Sequence, residues 1–308
     1  MSPAFAQRIA DVHGSRGVRW LARLPGFLAA CADRWSLTLL PPFEPLSYNY
    51  VAPAWRGDGG EVALKAGVPG PLLRCELAAL RHFAGRGCVR VLASDAARGV
   101  FLLERLRPGT PLFDPAAGSE RWLADDERAT AIAAGVMRQL WHPAPSRHPF
   151  PTAADWAAGL VRLRNRYGGT TGPLPETLVD RAERLFAELI ASQAAAVVLH
   201  GDLHHWNIVQ AERQPWLALD PQGVVGEPAY EVGALLRNPY PEIMTWPDAR
   251  QVQARRIAQL ADELGFDRQR IAGWGFAQAV LSAWWDLEDH GAGWEPALAV
   301  AEMLRAFT

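Results

Sequence analysis

A block of strand-forming residues, 196–220, interrupts the otherwise helical last two thirds of the chain. Before residue 107 the pattern is different, because short alternating apolar segments are separated by turns rich in glycine and proline, with one amphipathic helix at about Leu72 to Ala84. A chain of 308 residues also exceeds the usual size of one compact domain. We therefore predict an α+β fold with two lobes, a small antiparallel sheet lobe over residues 1–107 and a mainly helical lobe over residues 108–308.

Charge and cysteine content exclude several classes of protein. The net charge of −2 gives no electrostatic argument for binding nucleic acid or an anionic membrane surface. Three cysteines are an odd number without the spacing of a metal site, so we expect reduced thiols and a cytoplasmic protein. We find no signal peptide and no apolar run of membrane-spanning length, so no membrane association is expected.

The chain contains a single lysine, Lys65, against thirty arginines. It lies in the alternating segment Glu61-Val-Ala-Leu-Lys-Ala-Gly67, which predicts a strand. An ammonium is a compact point charge on a flexible stem, and phosphate oxygens are one natural partner for it. Composition alone leaves the alternative that an arginine-rich chain retained one lysine by chance.

Polar side chains are concentrated in the strand block. Its first strand runs into Asp202, and two later strands, joined by Glu212-Arg-Gln-Pro215, predict a hairpin. A four-residue loop places Asn207 opposite Asp220, and such oxygen ligands suit Mg²⁺. The rival interpretation is a transition-metal site of a metal-dependent phosphoesterase, with ligands drawn from His200, Asp202, His204 and His205.

The wording of these motifs resembles a known family. Leu199-His-Gly-Asp-Leu-His-His-Trp-Asn207, Trp216-Leu-Ala-Leu-Asp-Pro-Gln-Gly223, Gly226-Glu-Pro-Ala-Tyr-Glu231 and Leu102-Leu-Glu-Arg-Leu-Arg-Pro-Gly-Thr-Pro-Leu112 resemble the aminoglycoside phosphotransferases of the streptomycin 6-phosphotransferase type, the aminoglycoside/hydroxyurea antibiotic resistance kinases. This family is a branch of the protein-kinase-like superfamily. The resemblance implies a kinase that uses ATP and Mg²⁺ and phosphorylates an alcohol group of a small molecule.

Five residues carry the chemistry that the resemblance implies. Asp202 would be the catalytic carboxylate that orients the acceptor hydroxyl and takes its proton, and Asn207 and Asp220 would hold Mg²⁺. Lys65 would contact the α- and β-phosphates of ATP and pair with a carboxylate on the following helix. Glu76 is the candidate partner, because it lies on the apolar stripe of that helix and would be costly to bury alone.

Further nucleotide contacts are predicted on the same ground. Adenine would bind backbone groups of Glu104 and Leu106, while Ser47 is a candidate phosphate contact in a turn that lacks the glycines of protein kinases. His204 would approach the transferred phosphoryl group. The motif Asp220-Pro-Gln-Gly223 contains no phenylalanine that could flip, so we expect a constitutively competent metal site, with Asp220 extended because proline follows it.

An acidic and aromatic segment near the C-terminus suggests an acceptor site. On a helix, Glu288 follows Trp284 by one turn and Asp289 follows Trp285, a pattern that suits a cationic aminoglycoside. The alternative is a core tryptophan stripe beside a solvated acidic face. The preferred acceptor is streptomycin or a related aminoglycoside. Hydroxyurea, a small amino-alcohol or sugar metabolite, or a non-catalytic pseudokinase that only binds nucleotide remain alternatives.

Overall fold

The computed structural model describes residues 2–113, 119–193, 195–240 and 242–308. The chain divides into two compact units, one of residues 1–85 and 89–107 and the other of residues 86–88 and 108–308. The first unit contains two helices and five strands within its described residues, in the order α1 (Pro3–Trp35), β1 (Leu37–Leu39), β2 (Tyr50–Arg56), β3 (Glu61–Ala66), α2 (Pro71–Phe83), β4 (Val91–Asp95) and β5 (Val100–Glu104).

The strands of the first unit form one antiparallel sheet with the order β1-β2-β3-β5-β4. Helix α1 is kinked at Gly14, whose φ of 53° is compatible with glycine. The inward face of α1 shares a core with alternate residues of the sheet, which include Val62, Leu64 and Ala66 of β3. The intervening residue, Lys65, points to the other face and contacts α2. Both faces of β3 are therefore buried, and Lys65 is held inside the unit.

The second unit is mainly helical. Its named elements are β6 (Pro108–Pro111), α3 (Ser119–Leu140), β7 (His142–Pro143), α4 (Ala153–Arg166), α5 (Glu176–Ala191), β8 (Val197–Leu199), β9 (Ile208–Ala211), β10 (Trp216–Ala218), β11 (Val224–Gly226), α6 (Val232–Arg237), α7 (Ala249–Leu264), α8 (Arg268–His290) and α9 (Glu295–Leu304), with short 3₁₀ turns at Pro228–Glu231, Glu242–Thr245 and Arg305–Phe307. Helix α8 is the central helix, and most of its residues are buried. The predicted α+β class is confirmed.

Two small sheets carry the strand block of the second unit, with the orders β10-β9-β6 and β11-β8-β7. The loop between β8 and β9, residues 200–207, is the segment in which the sequence concentrates polar residues. Its ends are fixed by strands of the two different sheets. The sheet that contains β8 thus fixes the start of the loop, and the sheet that contains β9 fixes its end.

The predicted hairpin exists, but its register was wrong by one residue. Trp216 pairs with Gln210, which places Asn207 opposite Leu219 rather than Asp220. The amide of Ala211 donates to the carbonyl of Pro215 at 3.4 Å. Proline lacks an amide hydrogen but can still accept, so Pro215 joins the ladder and the loop has three residues instead of four.

Several element ends are defined only by the structure. The segment at Pro108 forms β6 and pairs with β9. Helix α4 was not predicted. The buried stripe of α2 ends at Phe83, whereas Ala84 is exposed and ends the helix in the left-handed conformation with a φ of 50°. Among the described residues, no helix combines the length and apolar character that a membrane crossing requires.

Candidate active site

The loop that contains Asp202 is held by a buried carboxylate. Glu231, 1% exposed, accepts hydrogen bonds from the backbone amides of His200 at 2.7 Å and Gly201 at 2.8 Å. Burial raises the pKa of Glu231 to about 7, although the two amide donors act in the opposite direction. These contacts give Glu231 a structural role in the loop.

His200 braces the same loop from inside. Its Nε2 lies 2.9 Å from the carbonyl oxygen of Leu219, and its Nδ1 accepts from the amide of Asp202 at 3.3 Å. A carbonyl can only accept, so the proton of the neutral ring is on Nε2. Burial lowers the pKa of His200 to about 4, which keeps the ring neutral near pH 7. His200 is therefore a structural link between the loop and the end of β10.

Asp202 presents a partly exposed carboxylate. Its side chain is 33% exposed, with Oδ2 3.5 Å from His204 Nε2 and Oδ1 3.8 Å from the guanidinium of Arg237. Burial alone would raise its pKa, but His204, Arg237 and His200 outweigh burial and lower it. Asp202 is therefore ionised at neutral pH. Both contacts are longer than ordinary hydrogen bonds, which leaves the carboxylate able to accept one from another molecule.

The predicted magnesium ligands offer the oxygen atoms that this metal prefers. The Asn207 side-chain nitrogen donates to the carbonyl of Asp202 at 2.9 Å, so its oxygen is the atom left for a cation. The amide of Leu219 bonds the carbonyl of Asn207 at 2.9 Å, which places Asp220 one residue beyond the pairing. The donor chemistry of Asn207 and Asp220 thus fits a hard divalent cation.

The conformation of Asp220 differs from the prediction. Its φ is 61°, so the residue is left-handed and not extended, although Pro221 follows it. A non-glycine residue in this conformation costs about 1–2 kcal/mol, and such strain concentrates at functional sites. The left-handed turn takes the chain out of β10 immediately after Leu219. The direction of the Asp220 carboxylate therefore does not follow from regular hairpin pairing, which the prediction assumed.

In the first unit, the predicted ion pair between Lys65 and Glu76 is present. Lys65 Nζ lies 2.6 Å from Glu76 Oε1, and the two side chains are 2% and 10% exposed. A buried charge without a partner would be strongly destabilising, and each residue removes that penalty for the other. The lysine is therefore fixed in position by the core of its own unit.

Three other predicted nucleotide contacts, Glu104, Leu106 and Ser47, also lie in the first unit. The amide of Glu104 donates to the carbonyl of Arg90 at 3.0 Å, and its carboxylate accepts from the amide of Arg90 at 2.8 Å. A backbone contact from Glu104 to adenine could therefore use only its carbonyl. The side chain of Leu106 is buried. Ser47 is exposed, and its carbonyl accepts from Arg8 of α1 at 3.4 Å.

A cavity of about 190 Å³ lies beside Asp202 in the second unit. The polar side chains that line it are Asp202, His204, Arg237, Asn238, Tyr240, Ser282 and Asp286. Asp286 and Ser282 are one turn apart on α8. Burial raises the pKa of Asp286 to about 6, partly offset by His290 and Arg237. The cavity thus combines the candidate catalytic carboxylate with a second acidic group.

The four predicted acceptor residues lie elsewhere on α8. Trp284 is 1% exposed and belongs to the core, and the carboxylate of Glu288 forms a two-pronged ion pair with Arg162. Trp285 packs edge-on against Trp156 with ring centroids 5.4 Å apart, and Asp289 is exposed. None of these four residues lines the cavity beside Asp202. Helical spacing grouped them correctly but could not show which face of α8 adjoins the loop.

Sequence reasoning missed Arg237 and understated Asp286. Asp286 lies within the segment that was singled out, four residues after Ser282, and this spacing was a signal for a second polar face. Arg237 is one of thirty arginines, and nothing in its local sequence distinguishes it. Only the fold reveals its proximity to Asp202.

The histidines of the loop do not form the rival transition-metal site. In the described ranges there is no group of three or more His, Cys, Asp or Glu side chains placed to hold a metal ion. His205 is buried instead, with Nε2 3.4 Å from Arg256 and its ring edge-on to Phe113. His200 and His204 make the contacts with Leu219 and Asp202 described above. The geometry therefore gives these side chains structural and loop-ordering roles.

Comparisons with known proteins identify the family of this chain. A family described as aminoglycoside/hydroxyurea antibiotic resistance kinase matches residues 52–290. Streptomycin 6-kinase of Streptomyces griseus is 33% identical over 302 residues, 97% of this chain and 95% of that protein. Hydroxyurea phosphotransferase of Kitasatospora aureofaciens is also 33% identical, over 94% of this chain and 82% of that protein.

A solved structure agrees at the level of the fold. A thermostable mutant of aminoglycoside phosphotransferase APH(4)-Ia, in ternary complex with ADP and hygromycin B, aligns with a TM-score of 0.61 at 14% identity, over 92% of this chain and 97% of that chain. The family match covers well over half of the residues and includes Lys65, Asp202, Asn207 and Asp220. The chain belongs to the aminoglycoside/hydroxyurea antibiotic resistance kinase family and is a phosphotransferase.

Proposed function

We propose that the protein transfers the γ-phosphoryl group of ATP to a hydroxyl group of streptomycin or a related aminoglycoside. The observation that carries this proposal is that Asp202 and Asp286 line the same cavity. The chain is also 33% identical to streptomycin 6-kinase of Streptomyces griseus over nearly its full length. Streptomycin carries several positive charges, and an acidic cavity beside the catalytic carboxylate suits such an acceptor.

The proposed division of labour follows the two parts of the sequence. Residues 1–107 supply most nucleotide contacts, through Lys65, Glu104, Leu106 and Ser47, and residues 108–308 supply the metal ligands and the acceptor site. Bound Mg²⁺ would neutralise charge on the phosphates, held by Asn207 and Asp220. Because ATP is a cytoplasmic metabolite, we place the reaction in the cytoplasm.

Asp202 acts on the acceptor. Phosphoryl transfer passes through a loose transition state, so catalysis depends mainly on positioning and on neutralising charge. The low pKa of Asp202 makes it a weak base, and it first accepts a hydrogen bond from the acceptor hydroxyl to align its oxygen. As the new oxygen–phosphorus bond forms, the bond from the γ-phosphorus to the β,γ-bridging oxygen breaks, ADP leaves, and the proton of the acceptor hydroxyl passes to Asp202. His204 Nε2 lies 3.5 Å from Asp202 Oδ2, and we expect His204 to approach the transferred phosphoryl group.

Lys65 acts on the phosphates. Its ammonium pairs with Glu76 at 2.6 Å, and an ammonium has three donor hydrogens, so it can bind phosphate oxygens while it keeps this partner. Glu76 sets the position of the ammonium before ATP binds. The lysine therefore requires no reorganisation during the reaction, which is the property of an efficient electrostatic catalyst.

A second acceptor is favoured by one comparison. Hydroxyurea phosphotransferase of Kitasatospora aureofaciens matches this chain at the same 33% identity as the streptomycin kinase. Hydroxyurea is small and neutral, so it would gain nothing from ionised Asp286. Whether acceptor binding depends on the charge of Asp286 therefore distinguishes streptomycin from hydroxyurea.

The test is a screen for ATP consumption over streptomycin, other aminoglycosides, hydroxyurea, and small amino-alcohols and sugars. Products are identified by mass and the phosphorylated hydroxyl by NMR, with the Asp202→Ala variant as the inactive control. We expect turnover with streptomycin and a product heavier by one phosphoryl group. Turnover with a neutral metabolite alone would reject the aminoglycoside assignment, and ATP consumption by the Asp202→Ala variant would reject the active site.

A further inference from the structure

We propose that Arg237 is the positioning residue of the phosphotransfer reaction, which fixes the carboxylate of Asp202 toward the acceptor. This inference rests on the proposed function, because it assigns Asp202 the catalytic role. Arg237 is the last residue of α6, and that helix follows directly after Glu231, which holds the backbone of the Asp202 loop. One short segment therefore contacts both the backbone of the loop and its catalytic side chain.

Arg237 is buried in a way that requires an anionic partner. Its side chain is 12% exposed, and its guanidinium lies 3.8 Å from Asp202 Oδ1. Burial lowers the pKa of Arg237, while Asp202, Tyr230 and Asp286 act in the opposite direction. An arginine remains charged even so, and a buried unpaired charge would be strongly destabilising. The pairing with Asp202 thus fixes Arg237 and constrains the carboxylate at the same time.

Two neutral groups, the Gln278 carboxamide and the Tyr230 carbonyl, orient the guanidinium of Arg237. Arg237 donates to Gln278 Oε1 at 3.3 Å, and the Gln278 nitrogen donates to the carbonyl of Tyr230 at 2.5 Å. The carboxamide therefore has one orientation, with its oxygen toward Arg237. Gly233 leaves the space for it, because a Cβ at that position would lie 2.3 Å from the Gln278 carboxamide carbon. The fold thus devotes three further residues to placing one guanidinium beside Asp202.

The length of the contact matters for catalysis. A guanidinium at hydrogen-bond distance would occupy acceptor positions of the carboxylate, whereas at 3.8 Å it restrains the carboxylate by charge and leaves these positions to the acceptor hydroxyl. His204 Nε2, at 3.5 Å from the other oxygen, likewise leaves room for another donor. Misplacement of a catalytic group by about 1 Å can reduce a rate about 100-fold. Arg237 prevents such misplacement.

The test compares Arg237→Met with Arg237→Lys. Methionine keeps the apolar volume and removes the charge, and we expect kcat to fall about 100-fold with little change in the KM for ATP. Lysine restores the charge without the planar fork and should recover part of the loss. Added methylguanidinium should partly restore kcat in Arg237→Met, which a purely structural defect would not allow. Unchanged kcat in Arg237→Met would overturn the proposal.

Arg270→Met is the matched control. Arg270 is also a partly buried arginine of the second unit, paired with Glu227 at 2.6 Å, and it does not line the cavity. Its substitution should reduce thermal stability to a similar extent while leaving kcat of the folded enzyme unchanged. An equal loss of kcat in Arg270→Met would show that any buried ion pair gives the effect, and would overturn the specific role of Arg237.

A structural measurement separates this inference from the proposed function. If the wild-type enzyme phosphorylates no acceptor in the screen, the proposed function fails, and crystal structures of wild type and Arg237→Met still decide the positioning role. We expect the Asp202 carboxylate to leave its wild-type rotamer in the variant. If the Asp202 side chain of Arg237→Met superposes on that of the wild type, the inference is refuted, whatever the activity of either protein.

Discussion

The two charged centres of this enzyme are built in opposite ways. Lys65 of the first unit has its partner, Glu76, at 2.6 Å, and both side chains are almost fully buried. Asp202 of the second unit has His204 and Arg237 as neighbours at 3.5 and 3.8 Å and is one third exposed. The charge that we propose for phosphate binding is thus held by a direct ion pair, whereas the carboxylate that we propose for the acceptor has only longer contacts.

The difference follows from what each group must do. A lysine ammonium has three donor hydrogens, so it can keep one of them in a permanent ion pair and still bind phosphate. A carboxylate that orients a hydroxyl needs lone pairs that other donors do not occupy, and long contacts leave more of them available. We therefore expect substitutions at Lys65 to reduce stability more than substitutions at Asp202, while both reduce turnover.

The largest expected effect is that of Asp202→Ala. Loss of the catalytic carboxylate should reduce kcat roughly 10³–10⁴-fold, because general-base and orienting contributions are lost together. The Kd for ATP should remain close to the wild-type value, and the melting temperature should fall less than in Lys65→Met, since the native contacts of the carboxylate are long and Asp286 also acts on the charge of Arg237. Kinetics, calorimetric ATP binding and thermal unfolding measure the three quantities. A decrease in melting temperature as large as that of Lys65→Met would contradict the comparison.

Lys65→Met should reduce kcat/KM for ATP roughly 10²–10³-fold through loss of a phosphate contact. It should also lower the free energy of unfolding by about 3–5 kcal/mol, because Glu76 is left buried without its cation. The double variant Lys65→Met/Glu76→Leu should recover much of this stability but none of the activity. Denaturant unfolding and steady-state kinetics check both expectations.

Lys65→Arg addresses the shape of the charge. A planar guanidinium cannot replace a compact ammonium in a site that is closed around it, so we expect severe impairment despite the retained charge. Activity like that of the wild type would show that position 65 needs only a positive charge. Such a result would remove the inference drawn from the single lysine of the sequence.

Asp286→Asn tests the acceptor side at a smaller scale. A charge-assisted hydrogen bond contributes about 1.5–3 kcal/mol, so the KM for a cationic acceptor should rise roughly 10–100-fold while the KM for ATP stays constant. Since the pKa of Asp286 is raised to about 6, the carboxylate is ionised above that pH, and the wild-type KM for the acceptor should rise as the pH falls through 6. This pH dependence should be absent in the variant.

Asp289→Asn and Glu288→Gln are the controls for this prediction. Both positions were predicted from the sequence to bind the acceptor, and neither lines the cavity beside Asp202. We expect the acceptor KM to be unchanged in both. A larger rise in KM at Glu288 or Asp289 than at Asp286 would favour the acidic rim inferred from the sequence over the cavity.

The last prediction concerns stability rather than turnover, through Glu231→Gln, which alters the support of the Asp202 loop. Because the folded-state pKa of Glu231 is raised to about 7, the folded protein binds this proton more tightly than the unfolded chain does. The free energy of unfolding should therefore decrease as the pH rises from about 4.5 to about 7, by up to about 3 kcal/mol. Denaturant unfolding across this range should give a flatter curve in the variant.

The sequence predicted much of the first centre because its signals are local. Strand alternation set the face of Lys65, and helical spacing placed Glu76 on the buried stripe of the next helix. The requirement that a buried charge has a partner then left few possibilities. The resemblance of the sequence motifs to the family predicted Asp202, Asn207 and Asp220 as further site residues. Their assigned roles remain predictions until the variants are measured.

The arrangement around Asp202 required the fold. Register was missed by one residue because Pro215 could still accept a ladder hydrogen bond, and the left-handed turn at Asp220 contradicted the usual effect of a following proline. Arg237 and Asp286 lie on different helices and are 49 residues apart along the chain, and no periodicity relates residues that only packing brings together. Local chemistry therefore predicted candidate reactive groups, whereas long-range packing determined which side chains line the cavity beside Asp202.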